Sequence, residues 1–301
     1  MDRFESMSTL LAVVEAGSLS AAARRLNIPL TTVSRRVSEL EQHLKTQLLH
    51  RSSRQLSLTD AGRSYVAACK NILDDLGEAE RAAAGEFSAP KGDLIVTTPI
   101  VFGRLHVLPI VIDFLKVYRD IDVRMVLADR MINLMEDHID LAVRIGALPD
   151  SSLIAARAGA VRRVVCGSPA YFAARGMPKS PEELGAHDCI TFEGLMSAEA
   201  WTFGAGKSYV RVAVHSRLIV NTAEAAIDAA IAELGVTRVL SYQIAEPLRA
   251  GTLALALEPF EPPPAPVSLV YAGQGFLPLK LRAFLDFAAP RLKARLSGSA
   301  P

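Results

Sequence analysis

The chain has no run of about 18 apolar residues, the length a helix needs to cross a bilayer, so no membrane span is expected. Its opening stretch, MDRFESMSTLLAVVEAGS, carries acidic residues and polar breaks where an export signal needs an unbroken apolar core. Cysteine is scarce. Cys69, Cys166 and Cys189 are odd in number and lack metal-ligand spacing, which predicts reduced thiols, no metal site and a cytoplasmic setting. Also missing are G-x-S-x-G, H-E-x-x-H, a P-loop and G-x-G-x-x-G. The run His187-Asp188-Cys189 sets a base, an acid and a thiol side by side, but adjacent residues rarely converge on one substrate atom. No catalytic residue and no cofactor are therefore expected, and in this reading the protein is not an enzyme. Net charge is nearly absent too, at +1 over 301 residues.

What is present is an uneven distribution of that charge. From Ser18 to Thr59, seven basic residues (Arg24, Arg25, Arg35, Arg36, Lys45, Arg51, Arg54) face only Glu39 and Glu41. A basic end on an otherwise slightly acidic chain is the footprint of phosphate contact, although a solvated helix face would look the same.

Apolar spacing narrows the choice. Phe4, Met7, Leu10, Leu11 and Val14 recur at three- and four-residue intervals, predicting a first helix with one buried stripe. Gly17 suits its left-handed end, and Ser18 or Ser20 can cap a second helix with Ala22, Ala23 and Leu26 inward and Arg24 and Arg25 outward. Asn27 tolerates a turn, Pro29 interrupts, and Thr31 or Thr32 caps a third helix whose stripe is Val33, Val37, Leu40 and Leu44. This is helix, tight turn, helix, the arrangement that lays a second helix in the DNA major groove. On that helix Thr31, Thr32, Ser34, Arg35 and Arg36 point away from the apolar stripe, able to meet phosphates or base edges. The following QLLHRSSRQLSLT reads as a small hairpin with Arg51 and Arg54 near its tip, suited to the DNA backbone or minor groove.

The run from Phe4 through AAARRLNIPLTTVSRRVSELEQHLKTQLLHRSSRQLSLTDAG resembles the winged helix-turn-helix of LysR-type transcriptional regulators. It shares the paired alanines, Ser34-Arg35, LEQHL, Arg51 and LSLTDAG. Leu30 and Thr31 stand where many members have Gln and Pro, and Gln55 where a basic residue is common. The resemblance extends along the whole chain and implies an N-terminal DNA-binding domain (1–59), a linker and dimerisation helix (60–88) and a C-terminal effector-binding domain (91–301). That domain would have the fold of periplasmic binding proteins, two Rossmann-like α/β lobes, with lobe I at about 91–162 and 267–301 and lobe II at about 163–266.

The residues themselves fit that order. Tyr65, Cys69, Ile72, Leu76, Ala79 and Ala83 repeat at alternating fours and threes in a long helix from Thr59 to Phe87, a coiled-coil seam that would pair two copies and make Cys69 a packing residue. Beyond SAPKGDLIV the chain alternates strands (DLIVTTP, DVRMVLA, IDLAVRIG) with helices (RLHVLPIVIDFLKVY, MINLMEDH), predicting a parallel sheet under covering helices. The pattern continues through RRVVCGSPAYFAARG, SRLIVNTAEAAIDAAIAELGVTRVL, VSLVYAG and LKLRAFLDFAAPRL, and the resemblance implies that His187–Cys189 lies in a loop of lobe II.

Ligands of such folds sit beyond strand ends. The candidate effector residues are therefore Thr98, Pro99, Val101, Phe102, Asp129, Ile145, Asn221 and Thr222. Asn221 and Thr222 would either cap a helix or offer its backbone donors to an anion. Many relatives have Ser or Thr where Val101 stands, which argues against a simple carboxylate effector and toward a more apolar ligand or none. The resemblance implies as partners double-stranded DNA bearing an inverted repeat, a second copy in a homodimer or homotetramer, a small-molecule effector, RNA polymerase as a further candidate, and no membrane. The competing reading is a cytoplasmic small-molecule-binding protein whose N-terminal module mediates protein interaction.

Overall fold

A computed structural model describes residues 2–51, 56–83, 89–129, 134, 139–148, 153–193, 199–204, 209–273 and 277–297. The chain divides into two compact units, Met1–Asp93 and Leu94–Pro301.

In the first unit, α1 (Arg3–Ala16) starts where the Asp2 carboxylate accepts from the N–H groups of Phe4 and Glu5, and ends at Gly17 with φ of 70°. Its buried face differs from the expected stripe. Ser6, Thr9, Leu10, Ala12 and Val13 are buried, while Phe4 is exposed. Two hydroxyls can go inside because each has a backbone acceptor: Ser6 Oγ donates to the Asp2 carbonyl and Thr9 Oγ1 to that of Glu5, both at 2.7 Å. Helix α2 (Leu19–Leu26) is capped by Ser18 and leaves through left-handed Asn27. Its Ala22 and Ala23 give the close contact that joins it to α3 (Leu30–Leu44) in one core with Leu10, Val13, Val33, Val37 and Leu40.

No threonine caps α3. Pro29 is its first flanking residue, with φ of −59° and no side-chain cap, and its carbonyl takes the N–H groups of Thr32 and Val33. Proline presets the entry angle, so Thr31 and Thr32 stay outside the capping role.

Strands β1 (Leu49–Arg51) and β2 (Leu56–Leu58) pair antiparallel, Leu49 opposite Leu58 and Arg51 opposite Leu56. Glu41 holds the start of this hairpin, its Oε1 accepting from the N–H groups of Leu48 at 2.8 Å and Leu49 at 3.1 Å. Thr59 Oγ1 accepts from the Gly62 N–H and donates to the Gln47 carbonyl, locking the hairpin to α4 (Asp60–Ala83). Gly62 is required there, since a Cβ would lie 2.0 Å from the Leu48 carbonyl oxygen. On α4, Cys69 is fully buried and Ile72 exposed, so the expected seam is split between packing inside this chain and open surface. Ala79 and Ala83 have side chains outside the described residues.

The second unit holds two five-stranded mixed sheets. The first has the order β4-β3-β5-β14-β6, from β3 (Gly92–Thr98), β4 (Ile121–Leu127), β5 (Leu141–Ile145), β6 (Leu153–Val161) and β14 (Ala265–Ala272). The second has the order β11-β8-β12-β7-β13, from β7 (Arg163–Gly167), β8 (Asp188–Phe192), β11 (His215–Val220), β12 (Val236–Leu240) and β13 (Ala254–Ala256). The expectation of an all-parallel sheet is corrected. β3 runs parallel to β5, and β8 to β11 and β12, but β14 is antiparallel to β5 and β6, and β7 to β12 and β13. The cause is topological: the chain crosses once between Val161 and Arg163 and returns into β14 at Ala265, entering the first sheet from the opposite end.

His187–Cys189 is also not a loop, because Asp188 opens β8. Between β8 and β11 lies a hairpin of β9 (Ala200–Phe203) and β10 (Val210–Ala213), whose Trp201 and Phe203 are buried against one face of the second sheet. Covering helices are α7 (Pro169–Arg175), α8 (Ala223–Ile231), α9 (Ala245–Arg249) and α10 (Leu279–Ser297).

The expected helix after β3 starts as α5 (Ile100–Phe102), widens to a π-turn at Gly103–Val107 and continues as α6 (Leu108–Val117). Pro109 has no N–H to return to the preceding turn, and the widening falls just before it. The expected helix MINLMEDH lies largely outside the described residues.

Candidate nucleic-acid interface and effector cleft

The first turns of α3 present Thr31 and Arg35 exposed and Thr32 and Ser34 half-buried. The Arg35 guanidinium, 64% exposed, pairs with Glu39 at 3.0 Å across one helical turn. Such a pair contributes about 0–1 kcal/mol and can be surrendered to a stronger anion. Arg36 departs from the expectation of a free DNA contact. Its guanidinium binds the Glu5 carboxylate and reaches Thr9 Oγ1, which ties α3 to α1. Arg51 ends β1, its side chain outside the described residues, as is all of Arg54.

In the second unit, Thr98 and Pro99 close β3 and lead into Val101 and Phe102, both buried. Thr98 Oγ1 is buried with no hydrogen-bond partner among the described residues. Asp129, half-buried after β4, accepts from the Ile100 N–H at 3.1 Å. Burial pushes its carboxyl up, the Ile100 bond opposes that, and Glu224 adds repulsion. A carboxylate therefore already occupies the first free donor of this helix. Phe102 meets two groups that spacing alone did not single out. Tyr242 lies edge-on at 5.2 Å and His106 at 4.8 Å, the latter with an unpartnered buried Nε2 among the described residues. A polar ring inside the apolar run RLHVLPIV was the available signal for His106. Burial lowers the His106 pKa and raises that of Tyr242, keeping both neutral.

The structure thus brings Thr98, Pro99, Val101, Phe102 and Asp129 together and sets Glu224 and Tyr242 within electrostatic reach of Asp129. Ile145 ends the neighbouring β5, half-buried. Thr222 caps α8 by accepting from the Ala225 N–H at 3.4 Å, and Asn221 beside it is exposed. The Thr222 side chain thus serves as the cap of α8.

The three residues His187–Cys189 diverge. His187 Nδ1 lies 3.3 Å from the Tyr171 hydroxyl, Asp188 pairs with Arg175 and Arg217, and burial pushes the Cys189 thiol up to about 12. Among the described residues no group of three or more metal-ligating side chains occurs, and no single helix is long and apolar enough to cross a membrane.

Residues 4–63 match the bacterial regulatory helix-turn-helix family of lysR type, and residues 88–293 match the LysR substrate binding domain. An HTH-type transcriptional repressor of Pseudomonas aeruginosa is 34% identical over 95% of this chain and 91% of its own length. The HTH-type transcriptional activator AaeR of Escherichia coli is 29% identical over 95% and 93%. Among solved structures, the LysR-type regulator CrgA of Neisseria meningitidis superposes with a TM-score of 0.60 at 30% identity, covering 96% of this chain and 98% of that one. The two family matches take in both units, and the chain belongs to the LysR family of transcriptional regulators, with an N-terminal helix-turn-helix domain that binds DNA and a C-terminal domain that binds an effector.

Proposed function

We propose that two copies pair through α4, with residues 60–88 as the dimerisation segment, and read an inverted-repeat operator in the cytoplasm. Exposed Ile72 on α4 and exposed Phe4 on α1 support pairing, since each is a large apolar side chain left uncovered in one chain. Thr31, Thr32, Ser34 and Arg35 enter the major groove. Arg51 and Arg54 follow the backbone or minor groove, and Arg36 braces the reading helix through Glu5. The observation that carries this reading is the exposed, polar outer side of the first turns of α3, with Thr31 and Arg35 at the surface, on a helix fixed to its neighbours along the opposite side.

The effector binds between the strand ends of the two sheets, near Phe102, Asp129 and Tyr242. Because Asp129 already accepts from the Ile100 N–H, and the neighbouring groups are aromatic or acidic, the ligand is apolar or aromatic, without a carboxylate aimed at α5. It acts by favouring one arrangement of the sheets over another, which changes how the dimer holds DNA and so alters the access of RNA polymerase.

The test is a salt titration of binding to DNA from upstream of the protein's own gene against random DNA of equal length. The reading expects selective binding with a steep salt slope, and a loss of about 1–3 kcal/mol with relaxed selectivity for Arg35→Ala. An Arg35→Ala variant with full affinity and selectivity removes Arg35 from the reading face. Absence of binding to either DNA at low salt overturns the DNA-reading role of α3.

A further inference from the structure

The chain passes between the two sheets of the C-terminal unit twice, and one side chain ties the two passages together. The first passage is the single residue Arg162, between the end of β6 at Val161 and the start of β7 at Arg163. The return passage is residues 257–264, between β13 and β14. The two run side by side, since Ala265 at the start of β14 pairs with Val161. Across them the Arg162 guanidinium makes three bonds. Its Nε donates to Glu261 Oε2 and its Nη2 to Glu261 Oε1, each at 2.8 Å, and Nη2 also donates to Glu258 Oε2 at 3.0 Å. These acids stand 96 and 99 residues further along the sequence.

Both passages are stiff around this contact. Residues 262–264, directly after Glu261, are all proline, and their rings fix φ. Leu257 has φ of 60°, a left-handed conformation that a buried leucine keeps only where its surroundings enforce it. Here they do. The Leu257 carbonyl accepts from the Phe260 N–H at 2.9 Å, and the Phe260 carbonyl from the Gly204 N–H at 3.0 Å. The backbone beside the clamp is tied as well, the Arg162 carbonyl accepting from the Ser241 N–H at 2.9 Å and that of Pro266 from the Gly146 N–H at 2.8 Å. A forked arginine–carboxylate pair with a second acid, its Glu261 side chain only 13% exposed, holds its geometry where a single exposed pair would not. Bonding to Glu261 raises the Arg162 pKa above its ordinary value, so the cation persists.

We propose that Arg162 is a clamp that joins the two passages into one pivot, so that the two sheets turn relative to each other only about that line. Two strands joined at their sides resist bending apart, whereas two separate strands each bend alone. Any slack at the pivot is magnified at the far ends of the sheets, because displacement grows with distance from the hinge. Without the clamp the sheets therefore sample a wider range of separations. The inference needs neither an effector nor DNA, so it and the function proposed above can fail independently.

The experiment measures the distance between the sheets in the full-length protein, with no ligand or DNA added. Spin labels are attached at Asp286→Cys on α10, which packs on the first sheet, and at Ala174→Cys on α7, which packs on the second. Both positions are exposed, whereas Cys69, Cys166 and Cys189 are buried. Samples with one label supply the background between copies. Fluorescence of Trp201, the chain's single tryptophan and fully buried, checks that each variant is folded. The parent should give one narrow distance distribution. Arg162→Gln should broaden or split it, and Glu261→Gln, which loses the charge but keeps one oxygen as acceptor, should broaden it less. Lys116→Gln, which breaks an exposed pair with Asp113 on α6, should leave it as in the parent. An Arg162→Gln distribution as narrow as the parent's overturns the proposal even if Tm falls, because the contact would then stabilise without guiding motion. So does a parent distribution that is already broad. If Arg162→Gln does not fold, Glu261→Gln decides, and no broadening there overturns the clamp.

Discussion

Arg35 in the N-terminal unit stands 64% exposed beside Glu39, whereas Arg238, Arg144 and Lys280 in the C-terminal unit are all buried. Lys280, on α10, reaches toward Asp140 at 4.0 Å, and Asp140 also accepts from the Ile95 N–H at 2.7 Å. The first unit keeps Arg35 where a polyanion can take it and fills its core chiefly with alanine, valine and leucine, with Arg36 tied to Glu5. The second spends buried charge on joining segments far apart in the sequence. Position thus decides whether a charge is available for recognition or committed to architecture.

The sharpest way to break this comparison is to remove one acid from each unit. Asp140→Ala leaves Lys280 buried without that carboxylate and frees the Ile95 N–H, and should destabilise the C-terminal unit by about 3–5 kcal/mol. Glu39→Ala removes only an exposed partner and should cost no more than about 1 kcal/mol. Urea unfolding of the full chain, followed by Trp201 fluorescence for the C-terminal unit and by helical circular dichroism for both, separates the two. Comparable losses would mean that burial does not set the worth of these pairs.

A second contrast isolates the units from one another. Gly62→Ala drives a Cβ to 2.0 Å from the Leu48 carbonyl, a backbone atom that cannot move without displacing the hairpin. The expected loss is about 3 kcal/mol in the N-terminal unit, with DNA binding lost and the Trp201-monitored transition unchanged. A shift in that transition as well would show that the units unfold as one.

How far the sequence was legible follows the same division. Ser18 as a cap, Gly17 as a left-handed end, Asn27 in a turn and the Val33-Val37-Leu40 stripe could be read because each depends on neighbours within four residues. Ser6 and Thr9 inside α1 escaped because their burial rests on hydroxyl bonds to the preceding turn, which apolar spacing does not register. Most long strands of the C-terminal unit were visible as apolar runs, but β6, β8, β13 and the β9–β10 hairpin were not. The direction of β14 was not legible either, since it is set by a crossing about a hundred residues earlier. Thr98, Phe102 and Asp129 were named from strand ends, whereas His106, one turn beyond Phe102, and Tyr242, from a distant segment, needed the three-dimensional contacts. Arg238 stands inside the apolar run GVTRVL, but the face of the sheet it shares with Arg163 needed the register with β7.

Matched helix caps give a smaller test. Ser18 accepts from the Ala21 N–H at 3.1 Å and Thr222 from the Ala225 N–H at 3.4 Å. Ser18→Ala should cost about 1 kcal/mol, and Thr222→Ala, with its longer bond, nearer to 0.5 kcal/mol. The order of the two unfolding midpoint shifts checks this. If Thr222→Ala proves the costlier, that hydroxyl does more than cap α8.

The smallest expected effect concerns Asp129, and its sign is fixed by the direction of the shift. Burial raises the carboxyl above its ordinary value of 3.8, helped by Glu224 and opposed by the Ile100 N–H. The folded state therefore keeps this proton to higher pH than the unfolded state does. Between the ordinary and the raised value the native form binds more protons, so this group's contribution to stability falls as pH rises through that window and stays lower above it. Asp129→Asn keeps an oxygen for the Ile100 N–H but cannot ionise. Relative to the parent it should gain stability as pH rises through the acid range and hold that gain at neutrality, read as Trp201-monitored unfolding midpoints from about pH 3 to 7. A difference that does not change with pH would mean that Asp129 is solvated as freely as an exposed carboxylate, and the cleft would then not be the low-dielectric site that an apolar effector requires.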